Sequence, residues 1–197
     1  MTDRPILFSA PMVRAILAGS KTQTRRVVKP WEPRLMNLRR AVPEDVSYLP
    51  DFTCYRSTCP YGQPGDLLWV RETWSTHACF DHLPPNKCPP SIHYWADGKV
   101  QTGKGRPSIH MPRWASRITL EVTGARVERL QAISDADAMA EGIVQLSDGG
   151  FGLPDGSHYH HTDPRQSYFS LWEAINGPGS VEADPWLWVI EFKKVDS

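Results

Sequence analysis

The sequence has no excess of charge of either sign: 22 Lys and Arg face 22 Asp and Glu across 197 residues. A chain without a basic field does not hold phosphate backbones by bulk electrostatics, so any nucleic-acid contact has to be local. It also lacks an apolar run of the roughly 18 residues that mark a membrane span. Its first residues, Met1-Thr2-Asp3-Arg4-Pro5, do not show the basic, apolar and small-residue order of a secretion signal. No membrane partner is expected, and the expected location is cytoplasmic. A Ser-His-Asp order, a Gly-rich phosphate loop ending in Lys-Ser/Thr and a His-Glu-x-x-His helix are missing too, so those enzyme classes find no support.

Cysteine is scarce. Cys54, Cys59, Cys79 and Cys88 share one stretch with His77, His82 and His93. The two pairs have four and eight residues between them, a poor match to the short knuckles of structural zinc sites. Reduced, partly buried thiols are the expected state, with a four-cysteine zinc site as the alternative. No cofactor is expected. What the chain has in quantity is proline, 18 residues, and tryptophan, eight. That combination suits ordered loops around an aromatic core better than a helical bundle.

The apolar run Ile6-Leu7-Phe8 predicts a strand, and Ser9-Ala10-Pro11 after it predicts a helix start. Met12, Val13, Ile16 and Leu17 recur at helical spacing, and Gly19 supplies the stop. Residues 29–65 hold six prolines and no sustained period, which reads as an irregular excursion. After the Gly65-Asp66 turn signal, Leu67-Leu68-Trp69-Val70 predicts a buried strand that ends in Arg71-Glu72. A strand over 91–95 with a hairpin turn at Asp97-Gly98 is expected next. Ile118 to Val122 alternates and runs on toward Leu130. Ser134 with Asp137 predicts a capped helix ending at Gly142. A loop over 149–163 contains His158, His160 and His161, for which a solvated role is expected. Tyr168, Leu171, Trp172 and Ile175 then share one helical face, and 186–192 has the pattern of a core strand. These elements predict an α+β fold built as a small, mostly antiparallel β-barrel with about three flanking helices.

Chemistry-bearing residues concentrate just after the first helix, at Lys21, Thr24, Arg25 and Arg26. Cations commonly gather at helix C-termini, so a solvated cap is one reading and a functional pocket the other. The segment Gly19-Ser20-Lys21-Thr22-Gln23-Thr24-Arg25-Arg26 resembles the G-x-K-x-x-x-x-R signature of the ASCH domain family, relatives of PUA-like RNA-binding barrels. Gly19, Lys21 and Arg26 carry the match. The resemblance spans nearly the whole chain, residues 1–197 as one domain, with insertions at about 29–60 and 75–110. Many ASCH proteins have an acidic residue where this chain has Thr24. The combination of Lys21, Thr24 and Glu72 is similar to the small bacterial ASCH amidohydrolases that remove the acetyl group from N4-acetylcytidine.

That similarity implies an amidohydrolase acting on an N4-acylated cytosine nucleoside or a related modified base. A threonine hydroxyl needs a base to accept its proton, and a desolvated lysine can serve. Thr24 is thus expected as nucleophile and Lys21 as base. Glu72 is expected to hold Lys21 or to act as an acid. Arg26 is expected to bind substrate, with Ser9, Tyr94, Arg113 and Trp114 as further substrate-binding candidates. The run His110-Met111-Pro112-Arg113-Trp114 sets a cation beside an aromatic face, suited to a base or a phosphate and equally to core packing. The alternative function is a PUA-like RNA-binding module, with or without ribonuclease activity. Expected partners are accordingly a modified nucleoside or RNA.

Overall fold

The structure is a computed structural model in which residues 2–28, 59–98 and 103–195 are described. Most of the excursion at 29–60, including Cys54, lies outside them. The central feature is a five-stranded sheet in the order β1-β3-β6-β9-β2. Its strands are β1 (Asp3–Leu7), β2 (Gln23–Val27), β3 (Leu67–Arg71), β6 (Thr119–Arg129) and β9 (Trp186–Val195). Only the β1/β3 pair is parallel. Two small hairpin-like pairs flank it: β4 (Trp74–Ser75) with β5 (His93–Tyr94), and β7 (Val144–Gln145) with β8 (Phe151–Gly152). Three α-helices complete the set among the described residues: α1 (Ala10–Leu17), α2 (Asp135–Ala140) and α3 (Pro164–Asn176).

The expected closed barrel is not formed. β1 and β2 are the two edges of an open sheet and do not pair with each other. Pro5 sits in β1, where it has no N–H to give to another strand, a residue suited to an edge. A side chain ties the two edges: the Arg26 guanidinium donates to the carbonyl of Leu7 at the end of β1. The expected strand over 91–95 is also cut short. Only His93 and Tyr94 pair, and Trp95–Asp97 forms a 3-10 turn that ends at Gly98 with φ +64°.

Strand β9 explains why the sheet needs cover on both faces. Leu187, Trp188, Val189 and Ile190 are all buried, although side chains alternate between faces along a strand. Trp188, Ile190 and Phe192 join the core shared with α1 (Val13, Ile16) and Phe8. Leu187 joins the other core, with Ala138 of α2 and Tyr168 and Trp172 of α3. Strand β6 keeps its apolar face on the first core through a bulge, where the register shifts between Val122 and Gly124. The extra residue changes the parity, so Ala125 and Val127 stay on the side of Leu120 and Val122. A Cβ at Gly124 would lie 2.5 Å from the Glu191 carboxylate, so a larger residue there would push that flexible side chain aside.

Candidate functional site

The segment 19–26 is positioned by the end of α1. Gly19 has φ +77°, and its N–H donates to the carbonyl of Ile16 while that of Ser20 donates to Ala15. This pair of bonds is a Schellman stop, which needs a residue free to turn left-handed. The chain reverses there and enters β2 through Lys21. The Lys21 N–H also donates to Ala15, and a backbone bridge joins Lys21 to Glu141 at the end of α2. The cations are therefore not a solvated helix cap: Lys21, Thr24 and Arg25 are each under 5% exposed.

Along β2, alternate side chains take opposite faces. Arg26 lies over the Phe8 ring at 5.3 Å from its centroid, on the α1 side, and Arg25 lies 5.9 Å from the centroid of Tyr168, on the α3 side. Because β2 is an edge strand, a pocket of about 100 Å³ opens around it. Lys21, Thr24, Arg25, Arg26, Glu141 and Asn176 supply its polar lining, and Met12, Tyr168, Leu171 and Trp172 much of its apolar wall. The helical stripe expected at Tyr168, Leu171, Trp172 and Ile175 is thus the wall of this pocket.

The electrostatics centre on a carboxylate that sequence reasoning passed over. Lys21 Nζ is 2.7 Å from Glu141 Oε2 and 2.7 Å from the Glu141 carbonyl. The other carboxylate oxygen of Glu141 is 3.2 Å from Arg25 Nη1. Arg25 Nη2 also meets Glu128 at 2.5 Å and Asp137 at 3.4 Å. Arg126 extends the network, pairing with Glu128, Asp137 and Glu191. Burial disfavours the ammonium and lowers the Lys21 pKa, although Glu141 pulls in the opposite direction. For Arg25 burial also disfavours the charge, but Glu141 and Glu128 overcome it and the net shift is upward. The Tyr168 phenol is pushed well up, chiefly by burial. One signal for Glu141 did exist: a carboxylate next to a helix C-terminus opposes the helix dipole, so its place at the end of α2 needs another reason.

Glu72 is buried at the end of β3, but it does not hold Lys21. Its carboxylate is gripped by Arg117, at 2.9 Å from Nε and 3.1 Å from Nη2. Burial raises the Glu72 pKa and Arg117 opposes the rise. The same guanidinium bonds Asp97 at 2.8 Å and lies 3.9 Å from the Tyr94 ring centroid. The expected Lys21–Glu72 pair is therefore replaced by Lys21–Glu141. The physical reason is topological, because the Lys21–Glu141 backbone bridge brings the end of α2 against Lys21.

Of the expected substrate-binding residues, only Arg26 lines the pocket. Ser9 is exposed at the start of α1 and makes no side-chain cap bond. Tyr94 donates its hydroxyl to the Ala115 carbonyl. Arg113 pairs with Asp3 at 2.8 Å, and Trp114 is 44% exposed and packs edge-on against Trp74. For the zinc alternative, no group of three metal-ligating side chains occurs among the described residues. Cys59 is buried, Cys79 exposed and Cys88 half-buried. His158 is bonded to Ser170 Oγ, and His160 Nδ1 accepts from the Asp163 N–H. No helix among the described residues is long and apolar enough to cross a membrane.

The sequence matches no known family profile and no curated protein. Among solved structures, the chain is similar to an Enterococcus faecalis protein carrying the family label DUF984. The identity is 11%, the coverage 100% of this chain and 81% of the other, and the TM-score 0.41. It is likewise similar to the ASCH domain of a Lactobacillus crispatus protein, at 11% identity, 98% and 79% coverage, and a TM-score of 0.41.

Proposed function

We propose that the β2 pocket hydrolyses the amide of an N4-acylated cytosine nucleoside, with Thr24 as nucleophile and Lys21 as base. The observation that carries this reading is a desolvated lysine of lowered pKa lining the same pocket as a buried threonine. Two of the Lys21 ammonium hydrogens are committed to Glu141, and the third has no partner among the described residues. That third direction is the one left for Thr24 or for a substrate atom. The Thr24 side chain makes no hydrogen bond of its own among the described residues. The likeness of Lys21, Thr24 and Glu72 together to the ASCH amidohydrolases supplies the substrate class.

Neutral Lys21 takes the Thr24 hydroxyl proton as the oxygen bonds to the acyl carbon. Arg26, on the pocket wall, faces the negative charge that builds on the carbonyl oxygen. The C–N bond breaks, and the exocyclic amine leaves with the proton from Lys21. Water then attacks the threonyl ester as Lys21 takes its proton, the acyl C–O bond breaks, Lys21 returns that proton to the Thr24 oxygen, and the carboxylic acid leaves and loses its own proton to solvent. A pocket of about 100 Å³ is smaller than the several hundred Å³ usual for drug-sized ligands. It suits an acyl group or a pyrimidine edge, with the ribose outside. Incubation with N4-acetylcytidine should release cytidine, and Thr24→Ala and Lys21→Ala should each abolish release. Unchanged turnover in both folded variants overturns the mechanism.

A second reading, an RNA-binding module, rests on another surface. Arg71 and Arg113 lie 4.5 Å and 5.8 Å from the Trp69 ring centroid, and Trp114 stands exposed nearby in sequence. Cations with aromatic faces suit unpaired bases and their phosphates. This reading predicts salt-dependent binding of single-stranded RNA that weakens in Arg71→Ala, Arg113→Ala and Trp114→Ala. Absence of binding at low salt counts against it.

A further inference from the structure

We propose that the indole N–H of Trp172 determines specificity in the β2 pocket by donating to the C2 carbonyl oxygen of the pyrimidine, an inference that rests on the acylated-cytosine reading above. Trp172 lines the pocket and is 5% exposed, yet its Nε1 has no hydrogen-bond partner among the described residues. A buried donor without a partner has given up its water for nothing, and in a native protein such a group commonly meets a ligand or an ordered water. The indoles of Trp74 and Trp188 are unpaired as well, but neither lines the pocket. Trp74 belongs to the small cluster with Met111 and Ala115, and Trp188 to the core shared with α1. Of the three, only Trp172 borders a space that a ligand can enter.

The two walls of the pocket differ in charge. Strand β2 brings the cations Lys21, Arg25 and Arg26, whereas α3 brings Tyr168, Leu171, Trp172, Ile175 and Asn176, all uncharged. Burial raises the Tyr168 pKa well above its ordinary value, so the phenol stays neutral at physiological pH. Hydrolysis needs the acyl carbon at Thr24 and the developing negative charge toward Arg26, on the β2 side. The pyrimidine, joined to that carbon through a single nitrogen, then lies toward the neutral α3 wall. An indole N–H only donates, so it matches a carbonyl oxygen and rejects an amide N–H. The ring is held in place: its centroid is 6.2 Å from that of Tyr168, one turn earlier on α3, and the Trp172 carbonyl accepts from the Asn176 amide at 3.0 Å. A donor fixed in this way loses little freedom on binding.

The test pairs one variant with one altered substrate. Trp172→Phe keeps an aromatic ring and removes the N–H, and N4-acetyl-2-thiocytidine replaces the C2 oxygen with sulfur, a weak acceptor. Trp172→Phe is expected to raise KM for N4-acetylcytidine about 3- to 10-fold, the worth of one neutral hydrogen bond, with kcat kept. The thio substrate should cost the wild type a similar factor and cost Trp172→Phe nothing further, whereas a merely structural loss penalises the variant equally on both substrates. Binding is read separately from turnover, by the indole N–H signals of the full chain carrying Thr24→Ala, titrated with N4-acetylcytidine. The Trp172 signal is expected to move downfield, and those of Trp74 and Trp188 to stay. Should Trp172→Phe not fold, this movement carries the test. A Trp172 signal that stays in place at saturation, or a thio penalty equal in wild type and variant, overturns the proposal. Movement of the signal without hydrolysis by the wild type supports the role of Trp172 and overturns the amidohydrolase reading instead, and a chain that neither binds nor hydrolyses the nucleoside overturns both.

Discussion

At the scale of single residues, the site depends on how two buried cations share carboxylates. Arg25 answers to three, Glu141, Glu128 and Asp137, and its removal leaves Glu141 to Lys21 alone and the other two to the half-buried Arg126. Arg25→Ala is expected to destabilise the fold by about 3–5 kcal/mol, the range for breaking a buried pair, as measured by urea unfolding. Lys21→Met is expected to cost less, because Glu141 keeps Arg25 as partner and the cost of burying the ammonium disappears. The pH dependence has a definite sign. The Lys21 pKa is lowered in the folded state, so between that value and the unfolded one, about 10.4, the unfolded chain binds more protons. Folding stability gained through Lys21 therefore rises with pH across that window. Melting temperatures of wild type and Lys21→Met, compared over alkaline pH, should diverge in this sense.

At the scale of elements, turns decide where the chemistry goes. Gly19 and Gly142 both have positive φ, +77° and +106°. The first lies in the ordinary left-handed region, and the second lies beyond it while also packing against Ala15 and Lys21. Gly142→Ala is therefore expected to cost more than Gly19→Ala, roughly 2–3 against about 1 kcal/mol, and denaturant midpoints check the order. The Gly65-Asp66 turn behaves differently. The Asp66 carboxylate accepts the N–H groups of Thr2 and Gln63, and these bonds hold its pKa down at about 2. Its contribution is present above the ordinary carboxylate pKa, near 3.9, and is lost as pH falls toward 2. Asp66→Asn should lose that part of the acid dependence of stability. Both turns were legible from sequence, because glycine and aspartate mark such geometries locally. The Ser134 cap was legible for the same reason, and Ser134 Oγ does accept from the Asp137 N–H.

At the scale of the molecule, the sheet is centred on β6 and β9, with weaker edges at β1 and β2. β9 is buried on both faces, so its amides at 187–190 are expected to be the slowest to exchange with deuterium, and those of β1 and β2 faster. Equal protection at the edges and the centre would point to a closed barrel rather than this open sheet. An edge also gives the site its place, since the unpaired side of β2 leaves room for a pocket beneath α3.

The sequence by itself determined the elements whose causes are local: the helix stop at Gly19, the capped α2, the apolar stripe of α3 and the alternation of β6 and β9. It also marked Lys21, Thr24 and Arg26 as one segment. Tertiary structure decided what that segment faces. Neither the β6 bulge nor the open seam between β1 and β2 follows from periodicity, since each depends on which strands become neighbours. Glu141 lies 120 residues from Lys21, and no spacing rule connects residues that far apart. Only the bridge between the end of α2 and the start of β2 gives the lysine its carboxylate, leaving Glu72 to Arg117.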